Sequence, residues 1–193
     1  PAQYIEKLKA APDTRVELVR GTRVFHVGFT HGIESPLKDV RVRKAVAHAI
    51  DRNVIVKNVV EGYGVVANQP LHQWTEGYDA KRVWPYEFNP QKSRQLLAEA
   101  GFANGLDIDF MSPEGRYTKD KEVAQALAGM LQGAGFRVKH QSMVWNRFVE
   151  AFNARNNPGA KPFIYYIGYG NGTGDSDAAI SAVAACKGAW SAY

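Results

Sequence analysis

The chain has 193 residues, of which 45% are hydrophobic, 22% charged and 11% aromatic. This balance is typical of a folded globular domain and excludes disorder, collagen and coiled coil. Lys and Arg number 24 against 19 Asp and Glu, and a net charge of +5 spread along the chain is too small to indicate a nucleic-acid-binding arm. No hydrophobic run approaches the ~20 residues that a membrane-spanning helix requires.

Hydrophobic periodicity divides the first half of the chain into short elements and one irregular segment. We expect, in chain order, a helix at 2–10, strands at 16–19 and 22–29, helices at 39–50 and 51–62, and an ordered excursion without regular structure at 62–88. The helix after Asp39 has the clearest signal. Asp39 is a favoured N-cap residue, and the apolar residues from Val42 to Ile50 recur at helical spacing.

The second half alternates helices with strands. We expect helices at 90–100, 120–134, 145–152 and 178–185, strands at 106–110, 136–142 and 163–167, and loops at 111–118, 156–161 and 168–174. Asn89-Pro90 is a favourable helix start, and Gly101 stands just past the end of that helix. This alternation predicts the α/β class with an at least partly parallel sheet.

The most conspicuous motif is the glycine run GYGNGTGD at 168–175, which lies between a strand and a predicted helix. α/β folds place ligands beyond the carboxyl ends of their strands, so this run is either a tight-turning loop or a ligand-facing one. It contains no lysine, and its glycines do not fit the phosphate-loop or dinucleotide-binding patterns. Asp175 and Asp177 lack the spacing of a calcium loop, and at least one is expected to cap the next helix.

The remaining chemistry-bearing residues indicate no enzyme and no metal site. The five histidines are scattered, and Cys186, the only cysteine, lies in an Ala/Gly setting without a nucleophile motif. A basic group could form a polyanion patch or the solvated side of an amphipathic helix; its members are Lys38, Arg41, Arg43, Lys44, Arg52 and Lys57. The apolar stripe between these charges favours the solvated helix side.

Residues 36–56, PLKDVRVRKAVAHAIDRNVIV, resemble the signature of the family 5 solute-binding proteins of ABC transporters, the oligopeptide- and dipeptide-binding group. The matching positions are Pro36, Asp39, Arg41, Val42, Arg43, Ala45, Ala49, Ile50, Asp51, Arg52 and Ile55. Later elements follow the same plan, including Tyr86-x-x-Asn89-Pro90-x-Lys92 and the run from Leu96 to Gly101. The resemblance covers nearly the whole chain.

The resemblance implies a lobe like those of type II periplasmic binding proteins, with a mixed sheet flanked by helices. Family members are longer, two-lobed receptors that enclose a peptide or other small solute and deliver it to a membrane permease. Residues 1–193 therefore resemble the second lobe alone, with 1–22 leading in from the first lobe. The implied protein is a periplasmic monomer without cofactor, enzymatic activity or nucleic-acid partner, whose signal sequence and first lobe are absent from this chain.

Site residues carry over from the family position by position. Gly172 stands where peptide-binding members have an Asp that holds the ligand α-amino group, while Asp175 and Asp177 match later acidic positions. Arg116 lies one residue from Gly115, the position aligned with an Arg that holds the ligand carboxylate. We expect the cleft wall to comprise the strand-end loops 29–32, 114–117 and 169–177 with one helix start. The candidate ligand-binding residues are Thr30, His31, Arg116, Tyr117, Trp145, Tyr169, Asn171, Gly172, Thr173, Asp175 and Asp177.

Two other classes of function stay open from the residues alone. One is a nucleotide- or phosphate-binding enzyme domain that uses the glycine loop at 168–174. The other is a basic interaction module built on the helix at 38–57, whose binding to duplex DNA would weaken steeply with added salt.

Overall fold

The computed structural model describes residues 4–30, 34–186 and 188–191. Within them the helices and strands follow in the order α1 (Ile5–Lys9), β1 (Arg23–Phe29), α2 (Val40–Ala49), α3 (Arg52–Val54), α4 (Pro90–Glu99), β2 (Leu106–Glu114), α5 (Asp120–Gly133), β3 (Phe136–Val144), α6 (Trp145–Asn153), β4 (Phe163–Gly170) and α7 (Ser176–Val183). A π-helical turn, Ile55–Val59, continues α3, and short 3-10 turns lie at Pro36–Lys38 and Ala154–Asn156. No helix of this part of the chain is long and apolar enough to cross a membrane.

Three of the helix starts predicted from sequence are confirmed by their caps. The Asp39 carboxylate accepts a hydrogen bond of 2.8 Å from the main-chain N–H of Arg41 at the start of α2. Asp51 accepts from the second and third residues after it, both at 3.0 Å, and Asn89 accepts from Lys92 at 2.8 Å with Pro90 in the first turn of α4. Each cap satisfies N–H groups that have no partner within the helix.

The four strands form one mixed sheet in the order β1-β4-β2-β3. β2 pairs in parallel with both β3 and β4, while β1 runs antiparallel to β4, so that Arg23 lies opposite Gly170 and Phe29 opposite Ile164. The predicted α/β class and the mixed sheet are therefore confirmed.

Helices cover both faces of the sheet. Successive residues of β4 alternate between two cores: Ile164 and Tyr166 join the cluster with α2, α4 and α5, whereas Phe163, Tyr165 and Ile167 join the cluster with α6. This alternation is the two-residue period of a strand that is buried on both sides. Side chains from both clusters are fully buried, among them Phe110, Leu131, Phe148 and Phe152.

Three strands extend beyond their predicted ends, and one predicted strand does not form. Residues 111–114, expected in a loop, continue β2 because they pair with 141–144 of β3, and 111–113 are buried. β4 likewise continues through Gly170, so the first glycines of the run belong to the sheet. Residues 16–19 are irregular, because no strand of the described sheet pairs with them, and the Val19 side chain is 87% exposed.

The irregular segment at 62–88 has no helix or strand, as predicted, and it reaches the glycine run. The main-chain N–H of Glu76 donates a 2.8 Å hydrogen bond to the carbonyl of Gly174. A Cβ on Gly77, whose φ is +82°, would lie 3.3 Å from the hydroxyl of Ser176. The excursion therefore supports the start of α7 from outside the sheet.

Candidate functional site

The carboxyl ends of the three parallel strands meet at one edge of the sheet. β2 ends at Glu114, opposite the end of β3 at Val144, and β4 ends at Gly170. Because β1 is antiparallel, its first residue, Arg23, lies at this same edge. Ligand sites of α/β folds lie beyond such strand ends, so this edge is the candidate functional edge.

A cavity of about 170 Å³ opens at this edge and is defined here as the strand-end cavity. Two arginines, four aromatic residues and a stretch of β4 line it: Arg23 and Arg116; Tyr117, Trp145, Tyr169 and Trp190; and residues 167, 168 and 170. Apolar walls with a few convergent polar groups are typical of small-molecule sites. No carboxylate is among these lining residues.

A larger depression, of about 370 Å³, lies at the opposite edge, next to residues 102–105 and the start of β3. Its two arginines are already engaged. Arg94 donates to the carbonyl of Gly133, and Arg137 forms two bonds of 2.8 and 2.7 Å with the Asp107 carboxylate. Because these cations stabilise the protein itself, the strand-end cavity is the better candidate despite its smaller volume.

The glycines of β4 leave the space in which the Arg23 side chain lies at the strand-end cavity. Its guanidinium donates a 2.7 Å hydrogen bond to the carbonyl of Gly168 and lies 5.2 Å from the centroid of the Tyr117 ring. A Cβ on Gly168 would stand 2.5 Å from the Phe25 ring and 2.8 Å from Cδ of Arg23, and one on Gly170 would stand 3.2 Å from Nη2 of Arg23. The glycines therefore leave room for β1 side chains to lie across β4.

The loop between β2 and α5 is held by the buried carboxylate of Asp120. That carboxylate accepts hydrogen bonds from the main-chain N–H groups of Gly115, Arg116 and Tyr117 at 3.1, 2.8 and 2.8 Å. Gly115 has a φ of +76°, which glycine adopts without strain. The loop consequently presents Arg116 and Tyr117 toward the cavity from a fixed main chain.

Aromatic rings form the walls between the two arginines. The Arg116 guanidinium lies 4.9 Å from the Trp145 ring and 5.8 Å from the Tyr117 ring. The Tyr117 hydroxyl donates a 3.1 Å hydrogen bond to the same Gly168 carbonyl that Arg23 uses. Trp145, the first residue of α6, packs on Phe148 at 5.6 Å and on Trp190 at 5.7 Å.

Trp190 is held at the cavity by contacts of the segment 188–191. The Tyr165 hydroxyl donates 2.9 Å to the Trp190 carbonyl, and Arg155 donates 2.8 Å to the carbonyl of Ser191. The Trp190 ring also packs 5.5 Å from Phe152. A tryptophan far along the chain from the other walls therefore completes the cavity.

The end of the glycine run is tied together by its own side chains. Oδ1 of Asn171 accepts from the main-chain N–H groups of Thr173 and Gly174, both at 3.2 Å, and from the Thr173 hydroxyl at 3.0 Å. Nδ2 of Asn171 donates 2.7 Å to the carbonyl of Asp175. The Asp175 carboxylate caps α7 by accepting from Asp177 at 2.8 Å, which confirms the predicted cap.

The lining of the strand-end cavity carries two positive charges, those of Arg23 and Arg116, and no negative one. Of the ion pairs among the described residues, none includes Arg23 or Arg116. The nearby Glu114 carboxylate pairs with Lys121 at 2.7 Å, and this hydrogen bond lowers the pKa of Glu114. Burial, helped by Asp120 and Tyr117, raises the pKa of the Tyr166 hydroxyl, so that this group stays neutral.

The structure brings together four of the candidate residues around the strand-end cavity: Arg116, Tyr117, Trp145 and Tyr169. The Tyr169 hydroxyl donates 2.8 Å to the carbonyl of Ala178 and is therefore already engaged within the protein. Gly172 is exposed on the adjoining turn, and Asp177 is exposed in the first turn of α7, where it accepts from the Ser181 hydroxyl at 2.5 Å.

The predicted placement of Thr30 beside these residues is wrong. Because β1 runs antiparallel to β4, its carboxyl end lies at the opposite edge of the sheet, where the buried Thr30 hydroxyl donates 2.9 Å to the carbonyl of Phe163 and accepts 2.7 Å from its N–H. Residues 29 and 30 therefore share no wall with 114–117, and residues 31 and 32, His31 among them, lie outside the described residues. Arg23 and Trp190 were not identified from the sequence as site residues. The position of Arg23 opposite Gly170 follows from the pairing of β1 with β4.

A family profile matches almost the whole chain. Residues 1–191 match the description "Bacterial extracellular solute-binding proteins, family 5 Middle". The chain belongs to this family. The resemblance seen in residues 36–56 is thereby confirmed, and no comparison supports a nucleotide-dependent enzyme or a basic interaction module.

Curated relatives of this family 5 chain include binding proteins with different named ligands. Heme-binding protein A of Haemophilus influenzae is 33% identical over 106 residues, which make up 55% of this chain and 19% of that protein. The glutathione-binding protein GsiB of Pectobacterium atrosepticum is 26% identical over 181 residues, which make up 93% of this chain and 34% of that protein. The chain thus spans about a third or less of these relatives.

The fold is also found in solved structures. The periplasmic binding protein DppA of Helicobacter pylori, solved in complex with the peptide STSA, superposes with a TM-score of 0.80 at 21% identity and covers 93% of this chain and 33% of that one. Such a similarity establishes the fold, which is that of the type II periplasmic binding proteins.

Proposed function

We propose that this chain is one lobe, residues 1–193, of a longer two-lobed receptor that captures a peptide or peptide-like solute for an ABC importer. Residues 1–22 would lead in from the other lobe, and the receptor would act as a monomer in the periplasm, without enzymatic activity, cofactor or nucleic acid. Membership of the family supports the receptor function, and the relatives' names supply the ligand classes.

The strand-end cavity is the observation that carries this proposal. Its volume of about 170 Å³ is small for a complete ligand, as expected if a second lobe supplies the opposite wall. Aromatic rings supply apolar area there, and the Arg116 guanidinium offers a planar, bidentate partner for a carboxylate. Closure of two lobes around a ligand is a hinge motion that requires no catalytic group.

Native mass spectrometry of the complete receptor, purified gently enough to retain captured solute, tests the proposal. We expect an extra mass that is lost on activation and that fragments as a peptide or another small solute. A nucleotide mass would contradict the proposal. So would a receptor that carries no solute and binds none of a panel of dipeptides, tripeptides and chelated metals in calorimetry.

Arg116→Ala tests the assignment of the site. In the complete receptor we expect ligands with a carboxylate to bind about ten- to a hundredfold more weakly, because a charge-assisted, bidentate contact is lost. Arg147→Ala is the matched control, since Arg147 pairs with Glu150 on the exposed face of α6 and does not line the cavity. Unchanged affinity in Arg116→Ala would remove that residue from the binding site.

A further inference from the structure

We infer that the strand-end cavity recognises a solute with two carboxylates, one held by Arg116 and the other by Arg23, and that this lobe holds no free ligand amine. This inference rests on the proposed receptor function and specifies its ligand class. Arg23 is the new element, because it belongs to a different strand from the loop that carries Arg116.

Arg23 has the geometry of a poised anion partner. A guanidinium has five N–H donors. Among the described residues, the guanidinium of Arg23 makes a single hydrogen bond, which Nη1 donates to the Gly168 carbonyl. No carboxylate of the described residues forms an ion pair with it. The Tyr117 ring and the glycines of β4 lie against the guanidinium, and its Nε and Nη2 have no hydrogen-bond acceptor among the described residues.

Arg116 supplies the second cation of the same cavity. Its side chain forms no hydrogen bond with the described residues and lies over the rings of Trp145 and Tyr117. Since the two guanidinium carbons lie 5.2 and 5.8 Å from the same Tyr117 centroid, their separation cannot exceed the sum of these distances. One small ligand can therefore reach both cations at once.

No carboxylate of the described residues lines the strand-end cavity, and the three nearby Asp side chains bind other groups of the protein, so none of them is placed to hold a ligand amine. Asp120 is buried and binds three main-chain N–H groups of the loop. Asp175 and Asp177 serve the first turn of α7 and do not line the cavity. Two cations that form no ion pair among the described residues, next to aromatic walls, favour a dianion, because each carboxylate gains a charge-assisted contact.

Calorimetric titrations of the complete receptor with three probes separate the contribution of the second ligand carboxylate from that of the ligand amine. The probes are Ala-Glu, Ala-Gln and N-acetyl-Ala-Glu. Ala-Gln differs from Ala-Glu by one charge at nearly constant shape, and acetylation removes the amine. We expect Ala-Glu to bind about ten- to a hundredfold more tightly than Ala-Gln, and N-acetyl-Ala-Glu to bind within about threefold of Ala-Glu.

Variants of Arg23 test whether this residue causes the preference for Ala-Glu over Ala-Gln. Arg23→Gln should reduce the Ala-Glu to Ala-Gln ratio to about one, whereas Arg147→Gln, outside the cavity, should leave it unchanged. Arg23→Lys keeps the charge without the planar fork and should retain an intermediate ratio, which secures the test if the glutamine variant does not fold.

The inference is overturned if the receptor binds Ala-Gln as tightly as Ala-Glu, if it binds none of the three probes, or if Arg23→Gln keeps the full ratio in a folded protein. Acetylation that abolishes binding would also overturn it. Binding of uncharged or single-carboxylate solutes in those cases would leave the receptor function intact. Only a receptor that binds no small solute at all contradicts the proposed function as well.

Discussion

Replacement of Asp120 by alanine should destabilise the protein and loosen the loop that carries Arg116 and Tyr117. The buried carboxylate accepts three loop N–H groups and the N–H of Lys121 at 2.9 Å. Loss of an acceptor costs about 1–3 kcal/mol for a buried donor and less for one that water can reach. Since Gly115, Arg116 and Lys121 are exposed, we expect a total loss of about 2–4 kcal/mol in the free energy of unfolding.

Urea denaturation followed by circular dichroism measures this change, and hydrogen exchange at the amides of Arg116 and Tyr117 locates it. Glu122→Ala is the matched control, because Glu122 is an exposed carboxylate in the same first turn of α5 and should change stability by less than about 0.5 kcal/mol. A loss below about 1 kcal/mol in Asp120→Ala, with loop amides still protected, would refute the assigned role of Asp120.

Two further predictions concern β1 and β4. Gly168→Ala should lower the melting temperature by roughly 5–10 °C, because its Cβ would overlap the Phe25 ring and Arg23, whereas Gly129→Ala in α5, with open space around it, should stabilise the protein slightly. A similar effect of both substitutions would refute the crowding argument. Burial lowers the pKa of His26 to about 4 from an ordinary value of 6.5, so the folded state disfavours the proton. The free energy of unfolding should therefore keep its full contribution from neutral His26 above pH 6.5 and decrease as the pH drops toward 4. A His26 ring titration by NMR with its midpoint near 6.5 would contradict this assignment.

The helices were predictable because their signals are local. Asp39, Asp51 and the Asn89-Pro90 pair mark helix starts within a few residues of the bonds they make. The strand lengths depended on partners that are distant in sequence. The sequence of 111–114 predicts a loop, but these residues form a strand because β3 pairs with them. The sequence of 16–19 predicts a strand, but no described strand pairs with these residues and they are irregular. Pairing, rather than composition, decides both cases.

The candidate site was predictable where it depended on order along the chain and not where it depended on strand direction. Arg116, Tyr117 and Trp145 follow the ends of parallel strands and Tyr169 lies in the last residues of one, so the general rule for α/β folds places them together. Thr30 was misplaced, because nothing in its own sequence states that β1 is antiparallel. For the same reason Arg23, at the beginning of a strand, was not expected at an edge formed by strand ends.

The way in which Asp120 holds its loop bears on how the proposed site can change in evolution. The carboxylate binds main-chain N–H groups, which every residue except proline supplies, and it makes no bond to the side chains of Arg116 or Tyr117. Mutation at these two positions can therefore exchange the side chains that line the strand-end cavity while the loop keeps its shape. Homologues that retain Asp120 and Gly115, whose φ is positive, could change the proposed ligand without losing the fold of this loop.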